Sequence, residues 1–538
     1  MISPAAPEAT LLHGGRVHPH ADSAATHPAC LIVGDRILAC GETAELNSWP
    51  GPVRRIDLRG RAVLPGLCDA HLHLEKYARA LSQVDCETAS REECLERVAQ
   101  RVARAEAGEW ILGHGWNQND WGGHGTAAEL DAVAPNHPVY LTAKSLHAAW
   151  VNSSALRAAS FPAGRADPPG GALLRDGQGR PTGILLESAM ALVADCIPPL
   201  QLETVGREIA AAQEALWRFG ITSVHDFDGP RCFQALQWMH AEGRLHLHVL
   251  KSVPIELLDQ AVALGLRSGF GDDWLRLGHV KIFADGALGP RTAAMLQPYD
   301  GEPENSGISL IDREGILEAG IRAGASGLPL AIHAIGDRAN HEVLEGLAAL
   351  RRHEQEHRLP HLAHRIEHLQ LLHPDDLDRP AELGLVVSMQ PIHATSDMPM
   401  ADRYWGARSR FAYAWKSQLT RGALAAFGSD APVESPNPFL GIHAAVTRRS
   451  LDGAPGLEGW IPQERISLEA ALRGFSEGPA QVASMGDRLG KLEPGCFADL
   501  IVLDLDPYQV APQDLAALLP SATMVAGRWV YPADGPPS

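Results

Sequence analysis

The chain has 538 residues, of which 45% are hydrophobic and 21% are charged, a composition typical of a globular protein. Its 65 acidic and 46 basic side chains give a formal net charge of −19, which disfavours nucleic acid or an anionic membrane surface as a partner. The first fifteen residues lack the pattern of a signal peptide, no run of 18 apolar residues is found, and the eight cysteines form no CxxC pair, so we expect reduced thiols and a cytoplasmic location.

The first predicted elements are short strands between residues 10 and 64, where apolar and polar residues alternate and Gly-Asp or Gly-Arg pairs predict turns. The segment from residue 490 to the C-terminus has the same pattern. Neither end has enough apolar residues for a core of its own. We therefore predict one composite β-sandwich from residues 1–62 and 485–538, with a larger domain of residues 63–484 between them.

Ten apolar segments in the middle of the chain are predicted strands, and helical stretches alternate with them, which predicts a parallel sheet. They cover residues 68–74, 110–115, 139–144, 221–226, 245–250, 279–284, 329–334, 365–370, 385–390 and 424–430. A (β/α)8 barrel needs eight strands, and the segment between the first and fourth of these is too long for one connection. We assign the second and third to an inserted subdomain of about residues 80–215. The predicted class is α/β: a TIM barrel, a β-sandwich from both termini, and an insert after barrel strand one.

Residues that can bind a metal occur at the predicted carboxyl ends of the barrel strands, where the active sites of such barrels are found. They are His71 and His73 on strand one, Lys281 on strand four, His333 on strand five, His368 on strand six and Asp430 on strand eight. Imidazole and carboxylate ligands suit zinc, and also manganese, iron or nickel. Each residue alone also has a structural interpretation, such as a core histidine or a helix-capping aspartate. Their joint order along the strands favours a metal centre.

Longer motifs in the chain are similar to those of one enzyme superfamily. They include VLPGLCDAHLHL, LDAVAPNHPVYLTAKSLHAAWVNSSAL, ITSVHD, VKIFADGALGPRTAA, LAIHAIGDRAN, RIEHLQLLHPDDLDR, SMQPIH, AAFGSDAPVESPNPFLGIHAAVTR and KLEPGCFADLIVLD. With these motifs the chain resembles the amidohydrolase superfamily, and in particular the long metal-dependent hydrolases of amidohydrolase family 3, the YtcJ-like proteins. The resemblance implies a (β/α)8 barrel beside a β-sandwich, in agreement with the predicted elements.

The resemblance also implies a set of metal ligands and a cofactor. The ligand positions of the family fall on His71, His73, Lys281, His333, His368 and Asp430. In related two-metal enzymes the lysine is carboxylated and bridges the ions, since a carbamate offers anionic oxygens and an ammonium offers no lone pair. An unmodified Lys281 would instead favour a single ion. The expected cofactor is one or two divalent ions, with zinc as the first choice.

The reaction implied by the resemblance is hydrolysis by metal-activated water. Asp430 is the expected catalytic residue, which takes a proton from the water and passes it to the leaving group. Our first hypothesis is an enzyme that hydrolyses a carbon–nitrogen bond, other than a peptide bond, in a small amide, an N-formyl or N-acyl compound, or a cyclic amide. The alternatives are a deaminase or esterase at the same site and a non-catalytic metal-bound barrel. The expected partner is a small-molecule substrate, and a homo-oligomer is compatible with the family.

Four further residues are candidates for substrate binding, although structural roles are equally open for them. Trp116 and His147 belong to the predicted insert, and Asp285 and Arg291 follow barrel strand four. The family usually has Asp-Gly before the histidine at 147, whereas this chain has Ser-Leu, which leaves the substrate open. Strand alternation predicts that Glu367, next to His368, faces the helices outside the barrel.

Overall fold

The structure is a computed structural model that describes residues 8–160 and 166–536. The outermost residues of the predicted terminal segments, 1–7 and 537–538, and residues 161–165 of the predicted insert lie outside the described residues. Among the helices in the two described ranges, none combines the length and the apolar character that a membrane span requires.

The strands of the described chain form three sheets. One contains strands from both ends of the chain, one is the central barrel, and one lies between the first two barrel strands in sequence. The strands are β1 (Ala9–Val17), β2 (His27–Val33), β3 (Arg36–Gly41), β4 (Val53–Asp57), β5 (Ala62–Pro65), β6 (Leu67–Leu72), β7 (Val84–Asp85), β8 (Ile111–Trp116), β9 (Val139–Ala143), β10 (Ala148–Val151), β11 (Gly171–Arg175), β12 (Pro181–Glu187), β13 (Ile221–Asp226), β14 (His248–Pro254), β15 (Leu275–Phe283), β16 (Leu330–Ala334), β17 (Arg365–His368), β18 (Val386–Met389), β19 (Leu424–Phe427), β20 (Leu500–Leu503), β21 (Pro520–Val525) and β22 (Arg528–Tyr531).

Helices cover the connections between the barrel strands and part of the insert. They are α1 (Thr43–Leu46), α2 (Leu74–Ala80), α3 (Arg91–Val102), α4 (Ala127–Val133), α5 (Ser153–Ala158), α6 (Ala191–Ala194), α7 (Leu202–Arg218), α8 (Pro230–Ala241), α9 (Leu258–Ala263), α10 (Arg313–Gly324), α11 (Asp337–Glu356), α12 (Arg379–Glu382), α13 (Pro391–Trp405), α14 (Trp415–Thr420), α15 (Pro438–Thr447), α16 (Leu468–Gly474) and α17 (Glu477–Val482). The longer ones, such as α7 and α11, are buried on one face, as amphipathic helices against a sheet should be.

The central sheet is a parallel barrel of eight strands in the order β6, β13, β14, β15, β16, β17, β18 and β19. A parallel bridge between Leu72 and Ala431 joins the last strand to the first. This confirms the predicted TIM-barrel class, and all eight strands coincide with predicted segments. The third strand begins at His248 rather than residue 245, because the backbone N–H of His246 donates to the Gln213 side chain of α7 instead of to the sheet (2.8 Å).

The segment between the first two barrel strands contains a six-stranded sheet in the order β11, β12, β10, β9, β8 and β7. The predicted strands at 110–115 and 139–144 correspond to β8 and β9, which pair in parallel there and take no part in the barrel. The loop after β8 contacts segments that follow barrel strands, where Gln118 donates to the carbonyl of Gly289 (2.8 Å) and Asn119 accepts from the Tyr404 hydroxyl (3.1 Å). The insert therefore contributes side chains to the barrel mouth.

Strands from both ends of the chain form the third sheet, in the order β22, β21, β20, β5, β1, β2 and β3. The sheet branches at β1, since the first half of β1 pairs with β4 and its end pairs with β5. On one face, Leu12, Cys30, Val63, Leu500 and Met524 belong to one buried cluster. The two-layer packing of a sandwich and the domain limits given above stay predictions.

Candidate metal centre

Three of the predicted ligands meet at the carboxyl end of the barrel. One nitrogen or oxygen atom from each of His71, His368 and Asp430 lies within 4.8 Å of the others, and all three side chains are buried. The Nε2 atoms of His71 and His73 are each 3.5 Å from Oδ1 of Asp430. The first, sixth and eighth barrel strands thus bring two imidazoles and a carboxylate to one point, with a third imidazole beside them.

Two of these residues have backbone conformations that are uncommon outside glycine. His368 has φ = 71° and Asp430 has φ = 62°, both in the left-handed region. His368 is the last paired residue of β17 and Asp430 follows the end of β19, so the chain turns at each residue and directs the side chain into the mouth instead of continuing the strand alternation. Such conformations cost free energy and are often found at functional sites.

Glu367 points into the barrel, so the prediction that it faces the helices is wrong. Its Oε2 lies 2.6 Å from Nδ1 of His71, and its Oε1 lies 2.5 Å from Nε of Arg365. Arg365 and Glu367 are two residues apart and share the inner face, as strand geometry requires. His368 reaches the same mouth because its left-handed backbone ends the alternation.

The imidazoles of His71, His73 and His368 are each oriented by a second side chain at Nδ1. The pairs are His71 with Glu367 (2.6 Å), His73 with Asp228 (3.1 Å) and His368 with Gln390 (2.8 Å). This arrangement leaves the Nε2 atom of each ring for a ligand, and partners of this kind are typical around metal-bound histidines. Within the described ranges, Nε2 of His71 is buried and has no hydrogen-bond partner. The donor set fits a divalent cation.

Lys281 lies on the wall of the same cavity, with a side chain that is almost fully buried. Its Nζ has no hydrogen-bond partner in the part of the chain that the structure describes. The ammonium stands 4.6 Å from the ring centroid of Phe227 and 4.8 Å from that of Phe283. Burial lowers the pKa of Lys281 to about 8, because the charged form is desolvated. A larger neutral fraction makes the amine a better nucleophile.

His333 lies beside the three converging residues, but one of its nitrogens already has a partner. Its ring centroid is 4.6 Å from that of His368, and its Nε2 is 2.9 Å from the carbonyl oxygen of Gly286. Asp285, a predicted substrate-binding residue, is also occupied. Its carboxylate accepts backbone N–H groups from three residues of neighbouring loops, namely Ala294, Ile335 and Gly336.

The surroundings favour neutral imidazoles at His71 and His368 and an ionised carboxylate at Asp430. Burial and, after it, the charge of the nearby Lys281 lower the pKa of His71 to about 4. Burial likewise holds the pKa of His368 well below its usual range. Burial acts to raise the pKa of Asp430, but the attraction of His71 and a hydrogen bond from His393 outweigh it, so the pKa of Asp430 lies well below its ordinary value. These are the protonation states in which the groups can bind a cation.

Two cavities of about 300 and 420 Å³ meet at these residues. The linings of both include Ser145, His147, His333, His368, Asp430 and Val433. The predicted residue Trp116 lines the smaller cavity, and His147 lines both, with its Nδ1 2.7 Å from Oε2 of Glu187. Arg291, by contrast, pairs with Glu302 (2.6 Å). The structure therefore brings Trp116 and His147 to the site and gives Arg291 an ion pair outside both linings.

Strand seven supplies residues that the sequence analysis did not assign to the site. Gln390 and His393 follow β18, and Nε2 of His393 lies 3.6 Å from Oδ2 of Asp430. Both residues belong to the motif SMQPIH, which is the feature of the sequence that could have indicated their place in the site. Asp228, which orients His73, follows β13 two residues after the predicted strand ends.

Comparison with known proteins gives matches along nearly the whole chain. The model of the amidohydrolase family matches residues 54–531. The YtcJ protein of Bacillus subtilis (strain 168) is 31% identical over 96% of this chain and 98% of its own length. The N-substituted formamide deformylase of Arthrobacter pascens is 30% identical over 94% of this chain and 95% of its own. The crystal structure of an uncharacterized metal-dependent hydrolase from Pyrococcus furiosus is 31% identical and superposes with a TM-score of 0.74, covering 93% of this chain and 100% of that one.

Proposed function

Because the chain belongs to the amidohydrolase family, we propose that it is a metal-dependent hydrolase that cleaves a carbon–nitrogen bond, other than a peptide bond, in a small amide, an N-formyl or N-acyl compound, or a cyclic amide. The observation that carries this proposal is the convergence of the buried side chains of His71, His368 and Asp430, where Nε2 of His71 has no partner among the described residues. The similarity to a relative named as a formamide deformylase supports an amide as substrate.

We also propose the ligand set, the cation, the cellular location and the domain organisation of this enzyme. The ligand set is His71, His73, Lys281, His333, His368 and Asp430, with zinc as the cation. The chain acts in the cytoplasm, with a composite β-sandwich of residues 1–62 and 485–538 beside a barrel of residues 63–484. Trp116 and His147 are the two predicted substrate-binding residues that the cavity linings support.

A divalent cation held by these residues would polarise the scissile carbonyl and lower the pKa of an attacking water. Asp430 then carries the proton: its carboxylate accepts a proton from the water and returns it to the departing nitrogen as the carbon–nitrogen bond breaks. Glu367 and Asp228 keep the rings of His71 and His73 in one tautomer and one orientation. His393, 3.6 Å from Asp430, contributes to keeping the carboxylate ionised before the reaction.

Lys281 is proposed to act as a carbamate. Its neutral amine would form a bond to the carbon of CO2 and lose a proton, which gives an anionic oxygen ligand in place of a buried ammonium. The unpartnered Nζ and the lowered pKa of Lys281 support this modification. The measurement is the intact mass of the purified chain with bicarbonate present, which should include one added CO2.

The experiment that tests the proposed function combines metal analysis with a substrate panel. The full chain is purified, its bound metals are identified from X-ray absorption edges, and the metal-loaded protein is assayed on formamides, acyl amides, cyclic amides and esters of similar size. Hydrolysis of amides by the loaded protein, lost on chelation and restored by the ion, supports the proposal. A fully loaded protein that leaves every amide intact contradicts it.

A further inference from the structure

The two cavities at the site differ in chemistry. The larger one, here called the apolar chamber, has predicted metal ligands in its lining together with apolar side chains that include Met190, Ile255, Phe283, Leu310 and Ile311. Phe283 is 39% exposed and Leu310 is 38% exposed. Large apolar side chains left open on a cavity wall favour an apolar ligand group, because its binding removes their surface from water.

The smaller cavity, here called the acidic chamber, has an excess of carboxylates beyond Asp430. Asp120, Asp397 and Glu434 line it, whereas Lys144 is the one lysine or arginine among its lining residues. Lys144 is itself paired, with Nζ 2.6 Å from Glu87 and 3.4 Å from Glu434. Two lining histidines with raised pKa values face other carboxylates, since His147 pairs with Glu187 (2.7 Å) and Nε2 of His393 lies 3.6 Å from Asp430. The acidic chamber therefore has more carboxylates than its own lysine balances.

One acceptor of the acidic chamber lacks a partner, and two of its carboxylates are only partly stabilised by donors. Oε1 of Gln370 is buried without a hydrogen-bond partner in the described ranges, and this side chain lines the chamber and is 4% exposed. The Tyr413 hydroxyl donates to Oδ2 of Asp397 (2.5 Å). Burial raises the pKa of Asp397 and that of Glu434, because desolvation of the carboxylates exceeds the stabilisation from nearby donors. A positively charged donor in the chamber would supply the missing interaction.

Asp430 lies where the two chambers meet, together with His333 and His368. A substrate whose scissile bond is next to Asp430 must place one side of that bond toward each chamber. The two sides should differ in polarity, since unpaired polar groups are costly against the apolar walls and apolar groups displace hydration from the carboxylates.

We propose that the substrate is an amide with an apolar group of about aromatic-ring size on one side of the scissile bond and a positively charged group, such as an ammonium, on the other. The apolar group binds between Phe283 and Leu310, and the charged group binds at Asp397, Glu434 and Gln370. This inference rests on the proposed function and adds the substrate class to it.

The test compares amides of equal size with the metal-loaded full chain. Each carries a benzyl group on one side of the amide and an ammonium, a hydroxyl or a carboxylate at the end of the other side, and a second series reverses the direction of the amide. We expect kcat/KM for the ammonium compound to exceed that for the hydroxyl compound at least about tenfold, the ratio expected from one partly buried ion pair. The carboxylate compound should be the poorest substrate.

Two variants separate the chambers. Asp397→Asn should lower the ammonium-to-hydroxyl ratio of kcat/KM, and Phe283→Ala should lower the advantage of benzyl over methyl compounds while leaving the charge ratio in place. Glu458→Gln, at a side chain that is 86% exposed, is the control and should keep both ratios. Ratios within one variant report specificity, because partial unfolding would reduce the turnover of all compounds together.

Equal kcat/KM for the three charges, or a preference for the carboxylate, overturns the inference. If the loaded protein hydrolyses none of the amides, the proposed function fails, and calorimetric binding of the same compounds decides the inference separately. Tighter binding of the ammonium compound supports it, and binding that does not depend on charge overturns it.

Discussion

The backbone N–H of Asp430 donates to the carbonyl oxygen of His71 at 2.6 Å, so the two residues that face each other in the site also join the last barrel strand to the first. Asp69 reinforces this seam, since its Oδ1 accepts the backbone N–H groups of His71 (3.1 Å) and Ser429 (3.0 Å). The hydrogen bonds that close the barrel therefore also hold the backbone of Asp430 next to that of His71. Barrel closure and the relative position of these two proposed ligands are coupled.

Replacement of the proposed proton carrier should remove turnover and spare the fold. In Asp430→Asn the amide cannot take a proton from water, and general acid–base catalysis of this kind contributes about 10²–10⁴-fold. Asparagine tolerates the left-handed backbone at this position, so the seam with His71 should persist. We expect kcat to fall by at least about 100-fold with most of the bound metal retained, measured by steady-state kinetics and metal analysis. Wild-type turnover in this variant would rule out Asp430 as the proton carrier.

Glu367 should control metal affinity through His71. In Glu367→Gln the His71 ring loses its anionic partner, and losses of this kind typically cost about 10–100-fold in metal affinity. The matched control is Glu354→Gln, because Glu354 is also a buried glutamate that holds a histidine, with Oε1 3.1 Å from Nε2 of His364, away from the site. Competition with a chromophoric chelator measures both affinities. Equal loss in the two variants would mean that Glu367 acts only through the fold.

Lys281 should determine how many ions are bound. Lys281→Met keeps most of the side-chain volume and removes the amine that would become the carbamate. We expect fewer ions per chain, measured by elemental analysis after dialysis against the metal. Lys144→Met, at a lysine that lines the acidic chamber, should keep the wild-type number. An unchanged count in Lys281→Met would show that this lysine is not a ligand.

Removal of the metal should destabilise the folded chain. The proposed ligands come from strands far apart in the sequence, so the unfolded chain binds the ion weakly and the folded chain is stabilised by mass action. Free ion at 100 times its Kd should add about 2.7 kcal/mol to the free energy of unfolding. Thermal unfolding of the chelated protein, titrated with the ion, measures this. An unfolding temperature that stays the same as the ion is added would contradict a metal site that forms only in the folded chain.

A buried histidine outside the site should make stability depend on pH. Nε2 of His248 lies 3.0 Å from Oδ2 of Asp499, and although burial lowers the pKa of His248, the Asp499 charge outweighs it and the pKa lies above its usual value. The stabilisation from this pair is complete below the ordinary histidine value of 6.5 and is lost as pH rises through the raised value. Asp499→Asn should cost about 1.5–3 kcal/mol near pH 6 and less near pH 9.

Thermal unfolding across this pH range, with Glu458→Gln as the exposed control, measures the difference between Asp499→Asn and the wild type. A penalty that is equal at both pH values would contradict a change in the charge of His248 between them.

The barrel and the positions of the proposed metal ligands could be predicted because both depend on local pattern. Apolar segments at regular intervals indicate barrel strands, and a polar residue at the end of such a segment lies at the mouth. His71, His333, His368 and Asp430 were found in this way. Glu367 was misplaced for the same reason, since strand alternation was applied to His368, whose backbone in the structure is left-handed.

The sequence by itself determined the eight strands and the residue types at their ends, because apolar periodicity and strand length act over a few neighbouring residues. Only the tertiary structure decided that Glu367 and Asp228 orient His71 and His73, that His393 reaches Asp430, and that an apolar and an acidic cavity meet there. These contacts join strands far apart along the chain, and their distances depend on how the barrel closes and where the insert lies. No local pattern encodes such distances, since they result from the packing of all the elements together.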